Sequence, residues 1–378
     1  MSTYELTSML DCEDFVRGCL FLGTGGGGGK DSGLSMLRSA LDDGLTLRWT
    51  DVSEIPDDAW TCTAYAMGSI APKDESTDQA IIALGLTDRV GYGSMGLAVR
   101  ELATFTGKSI GVIVPAELGA SNTPAPLVTA MRLGLQCVDG DYAGRAIPEE
   151  MQGTPYLFGK TSHPLASVDL WGDVVLLKEA ATPFMLERIG KMLSVAAYGS
   201  CDQANNLLPA REMKEILVPG TLTKSLALGR AIREARDGTQ DPIAVAITQT
   251  GGYLLFAGVV VAKEWEDRDG YMVGTTTIAG TKHFGGHTLR VWFKNENHVT
   301  WLDDEPWVCS PDLVVLADPH TGEGYTNTLI DEGHEVGVVG IRGLESFRSE
   351  RGLGCAGPRH FGFDVDYRPI EQLADRAR

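Results

Sequence analysis

The chain has 378 residues, of which 43% are hydrophobic and 22% charged, a composition typical of a folded globular protein with more than one domain. Its 51 acidic and 32 basic side chains give a formal net charge of -19, which argues against nucleic acid and anionic membranes as partners. No segment approaches the ~20 apolar residues of a bilayer span, and no basic stretch followed by an apolar run opens the chain. Seven scattered cysteines without C-x-x-C spacing indicate reduced thiols, so we expect a cytoplasmic protein.

Two predicted helices flank a run of five glycines near the start of the chain. Apolar residues recur at helical spacing between Asp11, the expected cap, and Leu22. The sequence FLGTGGGGGK follows, after which Asp31 or Ser32 is expected to cap a second helix that Gly44 ends. The glycine run is therefore predicted to be a loop between two helices.

Strand-like and helix-like segments then alternate. Strands are expected at LTLRWTDV, TCTAYAMGSI, SIGVIVPAELG and LQCVDGDY, and helices at GLAVRELATF and PLVTAMRLG. Alternation with short glycine connections predicts βαβ units and a mainly parallel sheet covered by helices. We assign this α/β glycine-loop domain to residues 1–163, because the turn-rich segment EEMQGTPYLFGKTSHPLAS then breaks the alternation.

The second predicted domain, residues 164–378, begins with two amphipathic helices and continues as β structure. The apolar faces of these helices are expected to be Met185, Ile189, Met192 and Ala196, then Leu222, Leu226, Gly229 and Ile232. The sequence that follows is rich in β-branched residues and interrupted by glycines, which predicts antiparallel hairpins with a turn at Asp269 and Gly270. The expected strands are IAVAITQT, YLLFAGVVVAKEW, YMVGTTTIAG, TLRVWFKNE and HVTWL. PDLVVLAD and EVGVVGIRG add strands. The expected fold class is α/β, with an amino-terminal α/β domain and a β-rich carboxyl-terminal domain.

The glycine run is the most unusual feature of the sequence. Consecutive glycines lose more backbone entropy on folding than any other residues, so something must require the bare backbone. One hypothesis is that the N–H groups of Gly25, Gly26, Gly27 and Gly28 bind a polar or anionic group of the substrate at the start of the following helix. The alternative is that these glycines only permit close packing at a domain seam.

Two nucleotide motifs nearly fit this loop and fail. A P-loop requires a glycine where Thr24 stands, and a serine or threonine where Asp31 stands. The G-x-G-x-x-G pattern is met by Gly23, Gly25 and Gly28, but it follows a helix where its mechanism needs a strand. The sequence thus argues against ATP and NAD as cofactors.

Polar side chains follow two strands of the predicted sheet, at the point where each strand ends. They are Glu117 and Asn122 after IGVIVPA, then Asp139, Asp141, Arg145, Glu149 and Glu150 after LQCV. Open α/β sheets bind ligands outside the carboxyl ends of their strands, so these side chains are expected to converge. They suit general acid–base chemistry, or a divalent cation held by Glu117, Asp139 and Asp141. The alternative is a tight turn at the two aspartates and a simple ion pair at Arg145.

Histidine and cysteine offer further candidates. His283 and His287 are four residues apart, but the two glycines between them predict a turn instead of the helix that makes a zinc pair. Cys201 and Cys355 lie in polar, glycine-containing segments, yet spacing places no base beside either thiol. Whether a metal takes part therefore stays open.

Motifs along nearly the whole chain resemble one family. LGTGGGGG, PAELGASN, VDGDYAGRAIPE, FKNEN, PDLVVLAD and PRHFGFDVDY are similar to segments of the S-methyl thiohydantoin desulfurase-like family, whose members are often linked with hydantoinase and oxoprolinase systems. The resemblance implies an α/β domain followed by a mostly β domain. It also implies a hydrolase that acts on a hydantoin- or thiohydantoin-like cyclic imide and releases thiol or sulfide from ring carbon C2. Ala120 and Ser121 stand where the family pattern has a further glycine.

For such a hydrolase we expect the site at the domain seam, with Glu117, Asp139, Asp141 and Arg145 as catalytic candidates. Glu117 or Asp139 would activate water, alone or through a metal, while Asn122 and Arg145 orient the substrate. The glycine N–H groups would bind its oxygen or sulfur as charge develops.

Two other functions stay open. One is a non-catalytic ligand-binding or regulatory subunit of a hydantoinase- or oxoprolinase-type complex. The other is a nucleotide-dependent enzyme that holds phosphate in the glycine loop. Chains of this kind commonly form symmetric dimers or larger closed assemblies, so a homo-oligomer is expected.

Overall fold

The structure is a computed structural model, which describes residues 4–87 and 89–373 without the side chain of Tyr92. Its helices are α1 (Met9–Leu22), α2 (Lys30–Asp42), α3 (Glu75–Ala83), α4 (Ser94–Thr106), α5 (Pro124–Leu133), α6 (Thr154–Leu157), α7 (Pro183–Ala196), α8 (Ala210–Ile216), α9 (Thr221–Asp237), α10 (Pro242–Thr250), α11 (Glu345–Arg348) and α12 (Glu350–Ala356). In this described part of the chain, none of the helices has both the length and the apolar character that crossing a bilayer requires.

The strands form two large sheets and two short pairs. They are β1 (Tyr4–Leu6), β2 (Leu47–Trp49), β3 (Trp60–Gly68), β4 (Ile110–Pro115), β5 (Gln136–Cys137), β6 (Gly140–Asp141), β7 (Leu165–Asp169), β8 (Val174–Leu177), β9 (Ser200–Pro209), β10 (Val218–Pro219), β11 (Tyr253–Arg268), β12 (Tyr271–Gly280), β13 (Thr288–Lys294), β14 (Glu296–Leu302), β15 (Glu305–Cys309), β16 (Leu313–Ala317) and β17 (Glu335–Ile341).

The first sheet has six strands in the order β5-β4-β3-β9-β7-β8. Its first three strands are parallel neighbours, as the alternation of strands and helices predicts. The other half is antiparallel, because β9 runs against β3, and β7 and β8 follow as antiparallel neighbours. The sheet is therefore mixed, and the expected mainly parallel arrangement holds for only one half of it.

Strand β9 explains this difference. Its sequence, SCDQANNLLP, lacks the β-branched residues that mark a strand, and it buries the polar side chains of Gln203 and Asn205. Their amide groups are hydrogen-bonded: Gln203 Nε2 donates to the carbonyl of Gly190 at 3.2 Å, and Asn205 Nδ2 donates to Glu150 Oε2 at 2.9 Å. Because β7, β8 and β9 all come after residue 163, the first sheet continues past the predicted domain boundary.

The second sheet has seven antiparallel strands in the order β15-β14-β13-β12-β11-β17-β16, as the hairpin pattern predicts. The predicted turn at Asp269 and Gly270 joins β11 to β12, and both residues have the positive φ that a tight hairpin turn needs. Apolar residues from alternate positions of these strands form a separate core. The β-rich carboxyl-terminal half is thus confirmed.

One segment of the predicted β region is a helix. IAVAITQT forms most of α10, because Asp241 accepts hydrogen bonds from the N–H groups of Ile243 and Ala244 and Pro242 occupies the first turn. Buried Ile243 and Ala246 are three residues apart, a helical spacing. The prediction of a strand here was wrong, because it relied on the β-branched residues and overlooked the helix cap that precedes them.

Helix α7 buries a different face from the one that its apolar residues predict. Charged Glu187 and Lys191 are buried, whereas Met185 is 42% exposed. The two charges have partners inside: Tyr271 donates its hydroxyl to Glu187 Oε1 at 2.6 Å, and Lys191 Nζ lies 4.2 Å from the centre of the Tyr271 ring. In α9, by contrast, the predicted face, which includes Leu222, is buried.

The helix ends beside the glycine run differ slightly from prediction. Helix α1 begins at Met9, because Ser8 Oγ accepts a hydrogen bond from the N–H of Asp11, so Asp11 lies in the first turn and is not the cap. Helix α2 begins at Lys30, directly after Gly29, and no side chain caps it. The first N–H groups of α2 are therefore open at the end of the glycine run.

Candidate functional site

A cavity of about 460 Å³ lies at the seam between the two halves of the chain. The first half supplies the glycine run, the end of β3 and the segments that follow β4 and β6. The second half supplies further lining residues: Lys191, Ser200, Asn206, Asn295, Glu296, Thr326 and Thr328. The cavity therefore lies where the polar residues after the parallel strands meet the glycine loop (Gly25–Gly29).

Side chains from the second half occupy the space beside the first glycines of the loop. A Cβ atom at Gly25 would lie 2.5 Å from Asn327 Nδ2, and one at Gly26 would lie 1.8 Å from Glu296 Oε1. The N–H of Asn327 donates to the carbonyl of Gly25 at 2.7 Å. Because Gly25 and Gly26 have no side chains, the amide of Asn327 and the carboxyl group of Glu296 can approach their backbone from the second half.

The next glycines meet the segment after β4. A Cβ atom at Gly27 would lie 2.4 Å from the Cα of Gly119, and the φ of Gly27 is +73°. A Cβ atom at Gly28 would lie 1.7 Å from Ser121 Oγ. Gly29 differs, because no heavy atom lies within 4 Å of its Cβ position. Close packing accounts for every glycine of the loop except this last one: Gly25 and Gly26 pack against the second half, and Gly27 and Gly28 pack against the segment after β4.

The loop directs its carbonyl groups into the protein and leaves N–H groups free. The N–H groups of Ser121 and Asn122 both donate to the carbonyl of Gly27 at 3.1 Å. Among the described residues, none accepts a hydrogen bond from the N–H of Gly27, Gly28 or Gly29, which all line the cavity. These donors adjoin the uncapped start of α2, so the loop offers a site for negative charge.

Glu117 is the predicted site residue with the most distinctive surroundings. It is 5% exposed, and its Oε1 accepts a hydrogen bond from Asn122 Nδ2 while its Oε2 accepts one from the N–H of Ile147, both at 2.6 Å. Asn122 is fixed in turn by two hydrogen bonds to the backbone of Ala66 in β3. Burial raises the pKa of Glu117 above its ordinary value, and the two hydrogen bonds oppose that rise.

Glu296, at the start of β14, was not predicted and faces the same cavity. It is 2% exposed, and its Oε2 has no hydrogen-bond partner in the part of the chain that the structure describes. Burial and then the negative charge of Glu117 raise the pKa of Glu296 well above its ordinary value, against the positive charge of Arg145. Glu117 and Glu296 thus form a pair of buried carboxyl groups, of which Glu296 holds its proton more strongly.

Two more acids line another part of the cavity. Tyr65 donates its hydroxyl to Glu150 Oε1, and burial followed by the charge of Glu187 raises the pKa of Glu150 to about 8. Burial acts the same way on neighbouring Glu149, but a hydrogen bond from His360 and the charge of Lys294 lower its pKa to about 2. At neutral pH the cavity therefore contains protonated as well as ionised carboxyl groups.

Asp139 and Asp141, which were predicted as site residues, lie outside the cavity lining. Asp139 Oδ1 accepts hydrogen bonds from the N–H groups of Leu222 and Thr223 at 3.1 Å, so it caps the start of α9. Asp141 Oδ1 accepts hydrogen bonds from the N–H groups of Ala143 and Gly144 at 2.6 Å, which makes the tight turn that was the alternative interpretation.

Arg145 also lies behind the cavity. Its guanidinium donates to Thr24 Oγ1 at 2.9 Å and to the carbonyl of Asn297 at 3.1 Å, so it connects the start of the glycine loop with the second half. Lys30, the residue that a P-loop would aim at phosphate, forms an ion pair with Glu323 and does not line the cavity. Both cations thus hold the loop in place and do not face its open N–H groups.

The histidine and cysteine candidates lie elsewhere. His283 and His287 are exposed in and beside the predicted turn, and His287 Nδ1 is 2.5 Å from Asp303 Oδ2. Cys201 and Cys355 are buried, and burial raises the pKa of both thiols. Over residues 4–87 and 89–373, no group of three His, Cys, Asp or Glu side chains is arranged to hold a metal ion.

Sequence reasoning missed the contribution of the second half to the site. Three consecutive polar residues, Asn295 to Asn297, interrupt the alternating pattern at the end of β13 and are all buried. That interruption, within the motif FKNEN, was the signal available for Glu296. Lys191 was missed because a Glu187–Lys191 pair at i,i+4 spacing is typical of a solvated helix surface.

Comparisons with known proteins agree along nearly the whole chain. The pattern of the S-Me-THD-like N-terminal domain matches residues 10–179, and that of the S-Me-THD-like C-terminal domain matches residues 181–370. A crystal structure of a protein from Chromobacterium violaceum has the same fold, with a TM-score of 0.75 and 20% identity over 97% of this chain and 100% of that chain. A search of curated proteins found no match. Both halves of the sequence therefore assign the chain to the S-Me-THD-like family, as its motifs predicted.

Proposed function

We propose that this protein is a hydrolase that removes the sulfur substituent from ring carbon C2 of a thiohydantoin-like substrate. The observation that carries the proposal is the buried pair of Glu117 and Glu296 beside the open N–H groups of the glycine loop, in one cavity. The family membership supports the substrate class. A non-catalytic ligand-binding subunit would not need two carboxyl groups held at different pKa values.

The surroundings of the pair favour a distinct role for each carboxyl group. Two N–H donors stabilise the ionised form of Glu117, so it is the general base that takes a proton from water. Glu296 has no donor at Oε2 and keeps its proton, so it is the general acid. The N–H groups of Gly27, Gly28 and Gly29 stabilise negative charge as it develops at the C2 substituents.

The steps balance without a further reactant for an S-methyl substrate. Water adds its oxygen to C2 while its proton passes to Glu117, and the C2=N electron pair takes a proton from Glu296 onto the ring nitrogen. The C2 hydroxyl then returns its proton to Glu296 as C2=O forms. The C–S bond breaks and methanethiol leaves with the proton held by Glu117. The products are a hydantoin and a thiol, and both glutamates regain their starting states.

Electrostatics disfavour the nucleotide alternative. Glu117 and Glu149 line the cavity, and their ionised carboxylates would repel the phosphates of a nucleotide. A planar, uncharged imide ring has no such penalty, and it can accept and donate hydrogen bonds at its edges. The same acidic lining therefore suits the proposed substrate better than ATP or NAD.

The proposal is tested by incubating the purified protein with an S-methyl thiohydantoin and measuring released methanethiol with a thiol reagent. We expect release that is proportional to protein concentration, with a hydantoin as the other product. Binding of the thiohydantoin without any release would favour the ligand-binding subunit instead. The corresponding hydantoin, which lacks sulfur, serves as the control ligand for binding alone.

The pH dependence of the rate tests the two roles. Because burial raises the pKa of Glu117 above 4.5, the rate should rise with pH through a pKa higher than that of an ordinary glutamate. It should fall again at higher pH, as Glu296 loses its proton. A bell-shaped profile of kcat is expected. A rising limb at the ordinary glutamate value, or no falling limb, would contradict the assignment.

A further inference from the structure

An exposed apolar strand closes one edge of the first sheet. Strand β8 is last in the strand order, and Val174, Val175 and Leu176 are 43%, 38% and 37% exposed. Consecutive strand residues point to opposite faces, so both faces of β8 are open as well as its edge. Sheet edges of single-chain proteins are normally protected by charges, proline or a covering element, because an open apolar edge pairs with another chain.

The backbone of β8 fixes which groups face outward. The N–H of Asp169 in β7 donates to the carbonyl of Asp173 at 3.1 Å, and the β7–β8 register runs on without a bulge. Alternate residues of an antiparallel strand bond to the same side, so Val175 also directs its N–H and C=O groups to β7. Val174 and Leu176 direct theirs outward, where the described part of the chain offers no strand.

We propose that β8 of a second copy of this chain completes this edge, as an antiparallel pair about a two-fold axis. An antiparallel edge is complementary to itself, because a two-fold axis brings the same row of donors and acceptors face to face. The pair would join two sheets of six strands each into one continuous sheet and cover the exposed valines and leucine. This inference is independent of the proposed reaction.

Charge selects the register of the pair. Only residues whose backbone groups face the same way can lie opposite each other, so the axis passes through a residue. The two central residues of β8, Val175 and Leu176, are the positions that keep most of the strand paired. An axis at Leu176 would place Asp173 opposite Glu179 of the partner subunit, and like charges directly opposite each other are destabilising. An axis at Val175 avoids that contact and pairs Val174 with Leu176 of the partner subunit.

This register can be tested by disulfide cross-linking between the two copies. At the axis, Val175 faces its own copy at a non-hydrogen-bonded position, where Cβ atoms are about 4.5–5.5 Å apart, within reach of a modest shift to disulfide geometry. All seven native cysteines are buried, so Val175→Cys adds an exposed thiol to a chain with no competing one in its described part. Under mild oxidation we expect Val175→Cys to form covalent dimers on a non-reducing gel, and Leu176→Cys to form several-fold fewer.

Sedimentation of the unmodified chain should give twice the mass of one copy. Leu176→Lys should lower that mass to one copy, whereas Val261→Lys, which replaces a valine 50% exposed in the interior strand β11, should leave it unchanged. A single-copy mass for the unmodified chain, or a dimer that Leu176→Lys does not dissociate, would overturn the proposal. Preferential cross-linking through Leu176→Cys would overturn the axis at Val175.

Discussion

Replacing Glu296 with glutamine is expected to lower the rate of thiol release about 10²- to 10⁴-fold, the usual contribution of a positioned acid or base. Glutamine has the shape of the protonated glutamic acid and is uncharged like it, so we expect the free energy of unfolding to change by less than about 1 kcal/mol. What is lost is the proton that Glu296 gives to the ring nitrogen. The rate is measured as released methanethiol, and stability by chemical denaturation.

Glu117→Gln should reduce the rate to a similar extent, because the base is then missing. The double variant should be little slower than either single one, since the two residues act in one proton cycle. Asp139→Asn is the matched control: it changes a carboxyl group predicted from sequence that caps α9 outside the cavity. It should lower stability and leave the rate per folded molecule unchanged. Full activity of Glu296→Gln would refute the role of the pair.

Gly27→Ala is expected to have the largest effect on stability. The positive φ costs an alanine roughly 1–2 kcal/mol, and a Cβ atom 2.4 Å from the Cα of Gly119 must push two backbones apart, at a further cost of about 1–3 kcal/mol. We therefore expect the free energy of unfolding to fall by about 2–5 kcal/mol. The displaced loop should also lose its open N–H groups, so thiol release should fall in the molecules that stay folded.

Gly29→Ala is the control within the same loop. Gly29 has an extended backbone, with φ -87° and ψ 145°, and open space at its Cβ position. Its replacement should change stability by less than about 0.5 kcal/mol. Equal losses in the two variants, measured by urea denaturation, would mean that the loop requires flexibility and not the close approach of Gly27 to Gly119.

Much of the fold follows from local patterns in the sequence. The parallel strands β3 and β4 and the helices between them carry the alternation that predicts βαβ units, and the Asp269–Gly270 turn marks its hairpin. The errors have physical causes of their own. Strand β9 buries hydrogen-bonded amide groups and has no β-branched residues, and α10 begins at the cap that Asp241 provides although several of its residues are β-branched.

The candidate site could be predicted only on the side that the first half supplies. The glycine loop, Glu117 and Asn122 do meet, because the loop and the end of β4 are joined through the carbonyl of Gly27. Asp139, Asp141 and Arg145 lie close to these residues in sequence but do not reach the cavity. The two aspartates accept hydrogen bonds from backbone N–H groups, and Arg145 donates to Thr24 at the start of the glycine loop. Glu296 comes from β14, which is distant in sequence from the glycine loop. No local sequence pattern shows that these two segments meet.

The close fit between Gly26 and Glu296 means that the two halves of the chain must change together in evolution. Each half supplies one partner of a contact in which a single extra methyl group would collide with a buried carboxyl group. A half taken from a distant relative would therefore build a correct fold and still fail to form a working seam. Recombination between such relatives should succeed only when the glycine run and the segment around Glu296 are exchanged together.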